Sequence, residues 1–302
     1  MPSLAHIFTK AVKDSRFLRQ MLADVFSHVP APPRDACLRP QTEYAATWLG
    51  HAGFHLQFGE TSLLCDPVLG NRVGPALGPL TFGIKRLTAA PFRCEGLPKA
   101  STILLSHAHF DHCDTRSLRR IAKIMMPTTI LTAPGTLDLL RPIFREAAIR
   151  ELNPGESVEL QRERGALTVM AMKVNHRGAR WRYDIKRGAI GFCIDDGSRR
   201  ALFIGDTAYD AELLSACRSI EPVDLALLPI GAYDPFRHNH VTPEEAYEIA
   251  EASGARRLVP HHHSTFALGF EPVGEPLARL RQAATGGEVY LADVACGDTI
   301  HF

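Results

Sequence analysis

A chain of 302 residues has room for one large domain or two ordinary ones, and 45% hydrophobic with 22% charged residues is the balance of a globular protein with a sizeable core. Its 34 Lys and Arg against 33 Asp and Glu leave a net charge of +1, which argues against a nucleic-acid protein that coats phosphates with cations. No apolar run reaches the roughly 18 residues of a membrane span, and Lys10, Lys13, Asp14, Arg16 and Arg19 interrupt any signal-peptide core.

Residues 4–26 carry Leu4, Ile7, Phe8, Ala11, Val12, Leu18, Leu22 and Val25 at helical spacing and predict an amphipathic helix. Its polar face has a small positive excess; we expect the apolar stripe to pack on the body or on a second subunit of a homo-oligomer, with peripheral membrane contact the other reading. Pro30, Pro32, Pro33 and Pro40 make an extended connector, so residues 1–40 read as an appendage and 41–302 as one domain. Strands are predicted over 44–49, 54–58 and 62–65, and 102–105 is continuously apolar, as for a strand buried on both faces. Asp114 is placed to cap a helix reaching about Met126, with Pro127 just beyond. Further strands are predicted over 167–174, 189–194, 201–204, 224–228 and 256–259, with Asp195-Asp196-Gly197-Ser198 as a hairpin turn. Thr242-Pro243-Glu244-Glu245 reads as a capping box opening a helix to Gly254.

The seven cysteines lie at 37, 65, 94, 113, 193, 217 and 296 without a C-x-x-C, which fits neither a disulfide framework nor a zinc ribbon and suits a reducing cytoplasm. Histidine is the anomaly. Nine of the fourteen fall in the stretches 107–112, 176, 238–240 and 261–263. Ser106-His107-Ala108-His109-Phe110-Asp111-His112 follows a predicted buried strand directly. In such a loop His107 and His109 can bite one ion, while Asp111 and His112 turn toward a second. His176, Asp206 after Gly205, and His262 each follow another predicted strand. Alone, each reads as structural, and an Asp after a strand as a turn residue; together with the 107–112 loop they supply the ligands for two ions at neighbouring strand ends.

This pattern resembles the metallo-β-lactamase superfamily. The resemblance implies the α/β class, as an αββα sandwich of two mixed sheets flanked by helices, with a two-metal site at one edge. Thr47-Trp48-Leu49-Gly50-His51-Ala52-Gly53, Asp66-Pro67, Gly205-Asp206-Thr207, Pro229-Ile230-Gly231-Ala232-Tyr233, His240-Val241-Thr242-Pro243-Glu244-Glu245-Ala246 and Thr265-Phe266-Ala267-Leu268 are similar to the N-acyl-phosphatidylethanolamine-hydrolysing phospholipase D branch. That similarity runs from about Thr47 to the C-terminus. It implies that His107, His109 and His176 hold one ion, that Asp111, His112 and His262 hold the other, and that Asp206 bridges them. The triplet His261-His262-His263 leaves a choice of one residue, and spacing from Thr265-Phe266 selects His262. A di-iron redox relative is expected to carry Glu at the position of His109; three histidines point to two divalent ions of the hydrolytic kind, Zn first, with Mn, Fe or Ni within reach on affinity.

Two ions roughly 3.5–4 Å apart lower the pKa of a shared water toward neutrality and supply a hydroxide nucleophile. Asp206 would fix the separation and Asp111 would orient the nucleophile, while His240 and His51 are the candidates for protonating a leaving group. The expected activity is hydrolysis of a small-molecule or lipid phosphodiester. A lactonase like the ascorbate-phosphate lactonases is the alternative, and a non-catalytic metal-binding module a further one; the +1 charge counts against a ribonuclease Z-like nuclease. Arg177, Arg180, Arg182, Lys186 and Arg187, opposed by Asp184, form either a solvated loop or an anion-attracting rim. Phe8, Phe17, Phe26 and Phe82 are candidates for an acyl-chain groove, against the commoner role of single aromatics in a core.

Overall fold

The computed structural model describes residues 32–33, 36–39, 43–77, 80–163, 165–181 and 184–302. The amphipathic helix expected over 4–26, with Phe8, Phe17, Phe26 and Arg182, lies outside the described residues. β1 (Ala45–Gly50), β2 (Gly53–Phe58) and β3 (Thr61–Cys65) pair as an antiparallel meander. Two small ribbons follow, in which β4 (Arg72–Val73) pairs with β7 (Ile84–Lys85) and encloses β5 (Ala76–Leu77) with β6 (Leu80–Thr81). The first sheet then grows by parallel strands: β8 (Thr102–Leu105), α1 (Thr115–Ile124), β9 (Thr129–Thr132), the short α2 (Leu137–Leu140) and β10 (Ala148–Glu151).

β11 (Ser157–Gln161), β12 (Ala166–Lys173), β13 (Ile190–Asp195) and β14 (Arg200–Phe203) open a second sheet in antiparallel order. It continues in parallel through α3 (Ala211–Ser219), β15 (Leu225–Pro229), α4 (Pro243–Ala252), β16 (Arg257–His261), α5 (Glu275–Ala283) and β17 (Tyr290–Leu291). β18 (Thr299–His301) returns to pair with β1. The strand orders are β10-β9-β8-β3-β2-β1-β18 and β11-β12-β13-β14-β15-β16-β17, seven strands each.

Side-chain alternation sorts each strand between two layers. Ala46 and Trp48 of β1 and Ala201 and Phe203 of β14 meet Phe54, Leu56, Phe192 and Leu227 between the sheets. Leu49 faces the opposite way, onto Leu118 and Ile121 of α1, while Leu202 faces Leu213 of α3 and Ile249 of α4. Helix, sheet, sheet, helix is the αββα order the resemblance implies. All seven cysteines are free, and among the described residues no helix is long and apolar enough to cross a membrane.

Candidate metal centre

β8 is buried along its whole length, so the chain emerges at the sheet edge only at Ser106 and the histidine motif. There His107 Nε2 lies 2.9 Å from His109 Nδ1, which lies 3.3 Å from His176 Nε2. Asp206 Oδ2 completes this group, 3.6 Å from His107 Nε2 and 3.7 Å from His176 Nε2. Donors held 2.0–2.1 Å from a tetrahedral Zn²⁺ stand about 3.3 Å apart, so the spacing suits such an ion. A second group gathers around Asp111 Oδ2, 3.5 Å from His112 Nε2 and 3.4 Å from His262 Nε2. Asp206 faces it too: Oδ1 is 3.1 Å from His262 Nε2, and Oδ2 is 3.3 Å from His112 Nε2. One carboxylate therefore stands between two donor groups.

Outer partners turn the rings inward. His112 Nδ1 donates to Asp66 Oδ2 at 2.7 Å, His176 Nδ1 donates to the Asn239 carbonyl at 3.0 Å, and His107 Nδ1 meets Ser106 Oγ at 2.9 Å. Each of these bonds occupies Nδ1 and directs Nε2 at the cluster, the nitrogen a metal would take. Asp66 is fully buried and also accepts from the Ser106 N–H at 2.8 Å and from its hydroxyl. Asp66, Ser106 and Asn239 carried no role in the sequence; Asp66-Pro67 at the end of a predicted strand was the one signal that pointed to any of them.

A metal fits these residues on their own chemistry. His112 Nε2, His262 Nε2 and Asp206 Oδ1 are buried without a hydrogen-bond partner, a costly state for polar atoms that an ion would relieve. Burial raises the Asp111 and Asp206 carboxyls, but the surrounding histidines outweigh it and hold both well below the usual range. Burial depresses His107 strongly and His176 to about 4, so both are neutral. His262 feels the same burial, yet Asp206 and Asp111 lift it to about 9. Two buried anions thus attract positive charge at the very atoms that lack partners.

Of the triplet, only His262 enters the cluster. His261 Nε2 donates to the Ile204 carbonyl at 2.8 Å, and His263 stacks on Trp48 with ring centroids 5.1 Å apart. His262 sits at φ +60°, a left-handed kink that swings its ring away from its neighbours' directions. His240 borders the cluster, with Nδ1 3.9 Å from Asp206 Oδ2 and 12% of its side chain exposed. Burial pushes it to about 3, so its ring is neutral. The His51 ring is fully buried, and its Nε2 lies 2.8 Å from Asp111 Oδ2. The basic segment divides: Arg187 pairs with Asp184 and Asp138, while Arg180 binds the Ala108 and Cys113 carbonyls and lies over Phe110 at 4.4 Å. Arg180 thus clamps the histidine loop, while Arg187 ties its own segment to Gly135 and Asp138.

A family model described as "Beta-lactamase superfamily domain" matches residues 61–263, about two thirds of the chain and every donor named here except His51. The chain belongs to the metallo-β-lactamase superfamily. It is a metal-dependent hydrolase of that superfamily, with a His/Asp cluster able to bind metal. N-acyl-phosphatidylethanolamine-hydrolyzing phospholipase D 1 of Caenorhabditis elegans is 30% identical over 247 residues, 78% of this chain and 68% of the relative. A metal-dependent hydrolase of Pyrobaculum calidifontis is 28% identical over 246 residues, 81% of this chain and 94% of the relative. In three dimensions this superfamily member superposes on a metallo hydrolase of the archaeon Ignicoccus hospitalis with a TM-score of 0.62 at 19% identity, covering 86% of this chain and 98% of that one. That likeness is one of fold.

Proposed function

We propose that this superfamily member is a dinuclear phosphodiesterase, acting on N-acyl-phosphatidylethanolamine-type or related phosphodiesters. The observation that carries the reading is Asp206, whose oxygens lie 3.1–3.7 Å from ligand-capable nitrogens of both donor groups. The printed activity of the C. elegans relative supports the substrate class. His107, His109 and His176 would hold one ion, Asp111, His112 and His262 the other, and Asp206 both, with zinc favoured by the histidine-rich set. Bound divalent ions supply an acidified water and polarise an oxygen of the electrophile.

The protein's own groups do the rest. Asp66, Ser106 and the Asn239 carbonyl keep His112, His107 and His176 in one tautomer and orientation. Asp111 keeps a negative charge at the edge where the attacking water must be oriented. His240, neutral and partly exposed beside Asp206, is placed to hydrogen-bond the phosphodiester and face the leaving oxygen. Elemental analysis under metal-replete conditions is expected to give two equivalents per chain; a reproducible single equivalent contradicts the dinuclear reading. A phosphodiester reporter and N-acyl-phosphatidylethanolamine vesicles are expected to be hydrolysed, and a lactone panel left intact. Turnover of lactones alone would establish the lactonase alternative.

A further inference from the structure

The turn between β1 and β2 reaches the second donor group from behind. Gly50 has φ +93° and His51 φ +53°. A β-carbon at Gly50 would lie 3.0 Å from Arg86 Nη1 and 3.1 Å from Cys296 Sγ, so a side chain there would crowd both, on a backbone that already favours glycine. A histidine in the left-handed region is uncommon, and such a conformation persists where its surroundings over-determine it. They do so here. The His51 N–H donates to Thr265 Oγ1 at 2.7 Å, and its carbonyl accepts from Trp48 Nε1 at 2.8 Å and from the His262 N–H at 3.2 Å.

With its backbone held at these points, His51 projects its ring beneath the cluster, 4.1 Å from the His262 ring and 5.2 Å from Phe266. Nε2 arrives 2.8 Å from Asp111 Oδ2, while Nδ1 is buried without a partner. Buried N–H groups without acceptors are rarer than unpartnered acceptors. The proton therefore belongs on Nε2, where it can be donated to the carboxylate. No face of this ring is open to a substrate oxygen. We propose that His51 is a positioning residue: its Nε2–H holds the Asp111 carboxylate, and its carbonyl holds the His262 amide, so that one residue sets the geometry of two donors to one ion. This rests on the ligand assignment under Proposed function.

Calorimetric titration of the full chain with Zn²⁺ tests it in wild type, His51→Phe and His51→Gln. Phe keeps an aromatic ring in the buried site but cannot donate; Gln restores a donor. Wild type is expected to bind two Zn²⁺. In His51→Phe the first affinity should stay and the second should weaken about 10–100-fold, the usual effect of losing an outer-shell partner. kcat should fall with KM little moved, and His51→Gln should recover part of the second affinity. An unchanged second affinity in His51→Phe overturns this proposal alone, whereas a single Zn²⁺ in wild type overturns the dinuclear reading and this proposal with it. Should His51→Phe fail to fold, nitrogen-15 NMR of the Zn-loaded wild type decides. A protonated Nε2 with a bare Nδ1 supports positioning, and a metal-shifted Nε2 makes His51 a ligand and overturns it.

Discussion

At the scale of single residues, the chemistry depends on groups whose surroundings forbid any substitute. Asp206 is 2% exposed and engages histidines on both sides, so replacing one oxygen with an amide removes charge where it is needed without opening a cavity. Asp206→Asn is expected to keep its fold by circular dichroism and to lose more than tenfold in kcat, since even outer-shell changes around a metal cost about 10–100-fold; a variant retaining more than a tenth of wild-type kcat contradicts the bridging role. The triplet gives a sharper test. His262→Ala should release metal, whereas His261→Ala and His263→Ala should retain it, because their rings are committed to the Ile204 carbonyl and to Trp48. Metal content after dialysis reads the outcome, and release from either flanking variant but not from His262→Ala shows the register to be wrong. Arg86 shows what residue types conceal. An arginine reads as surface in a sequence, yet here it is 1% exposed, with Nη2 donating to the Leu49 and Val68 carbonyls and Nε to that of Gly70. It ties the turn carrying His51 to the loop after Asp66, a role set by backbone oxygens that no side-chain pattern announces.

At the scale of elements, the two helices expected from capping residues start where those caps lie. Asp114 caps α1 by accepting from the Arg116 and Ser117 N–H groups, and Thr242 with Glu245 forms the expected capping box at α4, both bonds present. Thr242→Ala removes one of that pair beside His240 and is expected to cost about 1 kcal/mol. At about 2.1 cal/mol/K of unfolding entropy per residue, that is roughly 1.5–2 °C in Tm for a protein of this size, and an unmoved Tm in a thermal scan would show that the cap is not needed there. The strands missed in the sequence are the two-residue ribbons β4 to β7, the short buried β9, whose Thr-Ile-Leu-Thr carries only two apolar residues, and the edge and half-exposed ones. β10 alternates exposed and half-buried residues, β11 has one buried residue, and β17 and β18 have two and three residues with none buried. Their identity comes from the neighbour they pair with, not from their own hydrophobicity. α3 and α5 also passed unread, although Asp210 caps the first and Pro276 lies in the first turn of the second.

At the scale of the whole molecule, two covered sheets bury polar groups far from the metal centre as well. His55 of β2 is 1% exposed and meets Ser62 Oγ at 2.6 Å. Burial pushes its pKa from 6.5 to about 4. Between those values the unfolded chain binds a proton that the folded chain refuses, so stability falls as pH drops from about 6.5 toward 4 and levels off below. At 1.36 kcal/mol per pH unit the loss from this residue is on the order of 3 kcal/mol. Urea titrations across that window should show a shallower pH dependence for His55→Gln than for wild type, and identical slopes would mean that His55 is protonated in the folded protein.

The sequence by itself determined the donor types, their attachment to strand ends, the helix caps and the superfamily. These are legible because a buried strand is a short apolar run and because the histidine motif packs its donors within six residues, 107–112. Tertiary structure alone decided which atoms meet. His107 and His262 are brought together by two sheets packed face to face, and no local spacing encodes that approach. The choice among three consecutive histidines, the side of Asp206 that faces each group, and the turn that aims His51 at Asp111 all depend on positive-φ kinks and on hydrogen bonds across the fold. Those contacts form only once the strands are in register, because each joins residues that the chain places tens or hundreds of positions apart.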